Sequence, residues 1–152
     1  MNGKDRPYAL HTNRELAMML AGDKPLAVFT HERVDGFEKT DALANQDFAP
    51  HVADGTFSEH TKTRTISLRS GRDVDIDYWF YTRKGEEWRV EAYWLLIEFL
   101  HYRGWCPQFE WLQGKLLGYT DQQNDHHLLR KYPADRWVAE ICGSQGSELA
   151  DP

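Results

Sequence analysis

The stretch Arg72–Tyr81, RDVDIDYWFY, sets aspartate at every second position from Asp73 to Asp77 and then runs through four aromatics. In an extended chain Asp73, Asp75, Asp77, Trp79 and Tyr81 share one side, and Val74, Ile76, Tyr78 and Phe80 share the other. A repeat of two does not fit a helix, whose like residues recur every 3.6, so this stretch predicts a β-strand. Phe57–Arg69 has the same character, and Ser70-Gly71-Arg72 between them is a turn with Gly71 suited to the left-handed region. Parity sets the loop length. A three-residue loop over 70–72 places Leu68 opposite Val74, Ile66 opposite Ile76 and Arg64 opposite Tyr78. Thr65 then meets Asp77 and Ser67 meets Asp75 on the other face. A two-residue loop would set Ile66 against Asp75 and mix the faces.

Around this hairpin the remaining elements follow from caps and periodicity. Thr12 or Asn13 can cap a short helix over Arg14–Leu20, stopped by Gly22. Leu26–Phe29 is a brief apolar strand, and 30–55 reads as loop with one helical turn, ending at Asp54-Gly55. Glu86–Arg103 is the clearest helix, with acids at its start, Gly104 at its stop and a broad apolar stripe. Further helices are expected over Gln108–Leu117, from Thr120-Asp121 to Lys131, and over Ala134–Ile141. The expected fold is α+β. A short antiparallel sheet on one long hairpin, joined by Leu26–Phe29, packs on one face against three to four helices, mostly C-terminal. One domain over 1–142 and a frayed tail over 143–152 complete the reading.

Composition excludes several classes. With 41% hydrophobic and 28% charged residues the chain of 152 resembles an average soluble protein, long enough to bury a core. Its net charge of −6 disfavours nucleic acid and anionic membranes, which need a basic patch. No apolar run is long enough for a membrane span or a secretory leader, and Cys106 and Cys142 form no C-x-x-C pair. A soluble protein of a bacterial or phage-like cytosol, with reduced thiols, is the expectation.

The aspartate face is the first candidate site. Asp73, Asp75 and Asp77, beside Trp79 and Tyr81, would form a ligand-binding surface with negative charge and flat apolar walls. Against this stands an ordinary wet sheet face, its acids paired with Thr63, Thr65, Ser67 or nearby Lys and Arg. D-x-D-x-D lacks the glycine and distal glutamate of a calcium loop, and Glu98-x-x-His101, with Glu91, has no second such motif to face. No metal site is assigned, and the cofactor stays unknown. The polar cluster 122–127 holds His126 and His127, which point about 100° apart on a helix. Either could act as a general base oriented by Asp121 or Asp125. Cys106 at a helix mouth reads as buried and inert. Aromatics crowd Tyr78–Trp111 beyond what one core requires, which suggests a cleft or a contact surface.

Two functions follow. One is an interaction or regulatory module that holds a protein, peptide or small ligand on the acidic and aromatic sheet face. The other is a small hydrolase or transferase using Asp75 and Asp77 with His126 or His127, with or without a metal. H-E-x-x-H, G-x-S-x-G, G-x-G-x-x-G and the P-loop are absent.

Overall fold

A computed structural model describes residues 7–33, 43–68 and 70–133, and the side chains of all of these except 43–46 and 101–103. Along the chain run α1 (Glu15–Ala21), β1 (Leu26–Glu32), α2 (Leu43–Ala53), β2 (Phe57–Ser67) and β3 (Asp73–Arg83). After them come α3 (Trp88–Arg103), α4 (Pro107–Leu116) and α5 (Asp121–Lys131). The strands form one antiparallel sheet in the order β1-β3-β2, so the fold is α+β with most of its helices C-terminal. Two compact units are present: His11–Glu91, and the described parts of Met1–Leu10 and Ala92–Pro152.

In the first unit β3 is central and pairs along both edges. The amide of Leu68 donates to the carbonyl of Arg72 at 2.8 Å, so three residues close the β2–β3 turn, and Gly71 has φ +80°. The loop has the expected length but ends at Gly71 rather than at Arg72. A left-handed residue belongs last in a three-residue hairpin loop, and that rule places Gly71 there. The register therefore moves by two: Thr63 faces Asp77, Thr65 faces Asp75 and Ser67 faces Asp73. An even shift leaves each side chain on its expected face.

The Trp79/Tyr81 face is not wet. Trp79 is 3% exposed and Tyr81 0%, packed with Met19 of α1, Phe48 of α2, Ala27 and Phe57. Tyr81 and Phe48 stack with ring centroids 4.3 Å apart. The cause is α2, an 11-residue helix where the sequence reading expected loop with one helical turn. Phe48 and Val52 stand one turn apart and turn one stripe of α2 toward the sheet. Pro50 sits inside this helix, where the missing N–H and the ring normally cost about 3 kcal/mol. The loop expected over 30–55 is further shortened by β1, which runs to Glu32.

On the opposite face Val74, Tyr78, Phe80, Leu26 and Thr82 are buried. Lys62 binds Glu91 at 2.9 Å and Ser58 donates to Glu87 at 3.5 Å, tying the start of α3 to this side. From Tyr78 to Thr82, then, β3 is buried on both faces. At the other end of the unit, α1 starts after Arg14 without a side-chain cap, and Asn13 turns left-handed (φ +62°) instead of capping.

The second unit contains the rest of α3 with α4 and α5. Pro107 opens α4 with the free Cys106, which is half-buried, at the N-cap. Thr120 and Gln123 make a reciprocal capping box that fixes the start of α5. Leu116 of α4 and Leu128 of α5 are buried. The expected helix 134–141 and tail 143–152 lie outside the described residues, as does Cys142.

Candidate functional site

The strand carboxylates form a ladder with β2. Thr63, Thr65 and Ser67 donate to Asp77, Asp75 and Asp73 at 2.6, 2.7 and 2.6 Å. Arg33, just past β1, adds a two-pronged clamp on Asp77, Nε to Oδ2 at 2.8 Å and Nη2 to Oδ1 at 2.7 Å. Its remaining nitrogen reaches Asp75 at 3.5 Å. The hydrogen bonds it donates to Asp77, then the Asp77 charge, push the Arg33 guanidinium above its ordinary range. Asp77 is buried, whereas Asp73 and Asp75 are more open. The sequence reading paired Asp77 with Thr65; the real rung is one pair along. Trp79 and Tyr81 provide no exposed platform beside these acids, because both rings are in the core. Burial, and then Glu59 across the strand pair, push the Tyr81 hydroxyl upward as well.

Within the helical unit, α4, α5 and the segment Tyr8–Leu10 enclose a cavity of about 190 Å³. Its polar wall is Glu110, Asn124 and His127, and its apolar wall includes Leu10, Leu117 and Tyr119. Asn124 and His127 are three apart on α5 and so share a face. Tyr8 lies edge-on to Tyr119 (6.2 Å) and His126 (5.9 Å), which holds the N-terminal segment at the cavity. His126 thus packs against Tyr8, while His127 lines the cavity.

Glu110 organises this wall. Its carboxylate accepts from His127 Nε2 (2.6 Å), Trp105 Nε1 (2.8 Å), Tyr132 (2.7 Å) and, with both oxygens, Lys131 (2.8 Å). Burial pushes this carboxyl up, but the bonds from Lys131, Trp105, His127 and Tyr132 together outweigh it and hold the group down at about 2. The orienting acid for His127 is therefore Glu110 of α4. Asp121 and Asp125, expected in that role, bind elsewhere: Asp121 pairs with Lys115, and Asp125 accepts from Trp111 at 3.1 Å.

Asn124 is the other unusual member. It is 6% exposed, and its Nδ2 is buried without a hydrogen-bond partner. Its carboxamide abuts α4 at Gly114, where a Cβ would come within 1.9 Å of Oδ1. Sequence reasoning missed Glu110 and Asn124. The signal that could have found them is Gly114 itself, since a glycine inside a helix costs about 0.5–1 kcal/mol and marks a close approach.

No protein-family model, curated protein or solved structure matches this chain. Among the described residues no three His, Cys, Asp or Glu side chains gather as a metal site, and no helix is long and apolar enough to cross a membrane.

Proposed function

We propose that the protein is a small-molecule-binding module of the cytosol, with its ligand in the cavity between α4, α5 and Tyr8–Leu10. One observation carries this reading: the cavity joins a polar wall of Glu110, Asn124 and His127 to an apolar wall that includes Leu10, Leu117 and Tyr119. The size supports it too, because a cavity of about 150 Å³ accommodates benzene, and this one measures about 190 Å³. The burial of Trp79 and Tyr81 moves the weight of the interaction reading from the sheet to this cavity. The test is a fragment screen by ¹H–¹⁵N correlation NMR on the full chain. Binding should move the Asn124 side-chain amide and the backbone amides of Gly114, Leu117 and Tyr119. Hits that map elsewhere, or none, would remove the proposal.

A second reading rests on the His127–Glu110 contact at 2.6 Å. A histidine oriented by a carboxylate is the pairing that general-base catalysis uses. It is supported if wild-type protein, and not His127→Asn, speeds deuterium uptake from D₂O at the α-carbon of a bound ketone, and it is abandoned if the two behave alike.

A further inference from the structure

Resting on the cavity reading above, we infer that the ligand is an uncharged, apolar molecule about the size of a benzene ring, without a polar head group. The two walls of the cavity differ in what they leave open, and that difference selects the class.

The polar wall is turned toward partners within the chain. The Glu110 side chain is only 10% exposed. Its carboxylate has room for about four donors, and it already receives five hydrogen bonds from His127, Lys131, Trp105 and Tyr132. An ammonium entering the cavity would therefore find no lone pair on Glu110. Among the described residues, none that line the cavity is a lysine or an arginine, so a carboxylate or phosphate would meet no cation there. Asn124 is 6% exposed, and its Nδ2 is buried out of reach of a ligand. The Gln113 amide donates to the Tyr93 hydroxyl at 2.7 Å.

The apolar wall is the one left open. Leu10 is 42% exposed, and Tyr8, Leu117 and Tyr119 are half-buried. These are the surfaces a ligand can take out of water, and the gain grows with the apolar area covered. A charge or hydroxyl on the ligand would lose its water without gaining a partner from Glu110 or Asn124.

The experiment titrates the full-length ¹⁵N-labelled protein at pH 7 with toluene, phenol, benzylamine and benzoate. The four share one ring and carry no polar group, a hydroxyl, a cation and an anion. Toluene should bind most tightly and move the backbone amides of Gly114, Leu117 and Tyr119. Each of the others should bind about tenfold more weakly or worse, the loss expected for a polar group buried without a partner. Phenol, benzylamine or benzoate binding as tightly as toluene, or more tightly, would overturn the apolar inference and leave the cavity reading standing. No response from Gly114, Leu117 and Tyr119 to any of the four would overturn both.

Discussion

Gly114 on α4 and Asn124 on α5 occupy one space: the carboxamide fills the place where any other residue at 114 would put its Cβ, 1.9 Å from Oδ1. The two helices approach here because one of them lacks a side chain, and the approach buries an amide in the cavity wall.

Gly114→Ala should accordingly destabilise the protein by about 1–3 kcal/mol, although alanine is the better helix former by about 1 kcal/mol. Chemical denaturation measures it. In an Asn124→Ala background the same change should be neutral or stabilising, since the clash is gone. A Gly114→Ala protein as stable as wild type would contradict the packing described.

The Glu110 network sets an acid limit. The carboxyl is ordinarily near 4.5 and is held at about 2, so its contribution is complete above 4.5 and is lost as pH falls toward 2. Stability profiles should decline across that window, and Glu110→Gln should flatten this part of the decline. At neutral pH Glu110→Gln should cost about 2 kcal/mol by weakening bonds to Lys131, His127, Trp105 and Tyr132. A profile identical in the two proteins would remove Glu110 from this role.

Lys24 works in the opposite direction. It is 2% exposed, with its Nζ 3.2 Å from His11 Nδ1. Burial lowers it from 10.5 to about 8, with Glu15 partly restoring it. Between 8 and 10.5 the unfolded chain binds more protons, so stability should rise with pH across that window; below 8 the full burden is present. Lys24→Met should abolish the rise and stabilise the protein at pH 7, by an amount on the order of 2 kcal/mol. Urea titrations at several pH values test both parts, and a Lys24→Met protein that keeps the rise would refute the assignment.

The aspartate ladder should be graded. Asp77 is buried, clamped by Arg33 and bonded to Thr63, so Asp77→Ala should cost about 2–4 kcal/mol. Asp73 is exposed at the end of β3, and Asp73→Ala should stay within about 0.5 kcal/mol. Equal effects at the two positions would mean that the Arg33 clamp adds nothing.

Trp79→Ala should cost about 3–5 kcal/mol, the loss expected for a large ring removed from a core. Thermal or chemical unfolding reads it directly. An effect of about 0.5 kcal/mol or less, typical of surface positions, would restore the exposed face that the alternation alone suggests.

How much of this was legible differs from element to element. Helices α3, α4 and α5 declared their ends through Gly104, Pro107 and the Thr120 capping residues, because caps are local chemistry. The cavity did not declare itself: Glu110 and His127 are 17 positions apart, and their meeting depends on how α4 and α5 pack. Asp121 and Asp125 were nearer in sequence, yet each faces a partner on α4.

The amino-acid order alone determined the two-residue beat of β3, the hairpin it makes with β2 and which side chains share each face, since strand geometry translates parity directly into sidedness. It could not say what covers a face. Whether an acidic, aromatic side meets water or a helix depended on α2, whose two anchoring residues, Phe48 and Val52, lie in a stretch of poor periodicity and frequent charge. Long-range packing made that choice, because covering Trp79 and Tyr81 removes more apolar surface from water than the misplaced proline costs in helix stability.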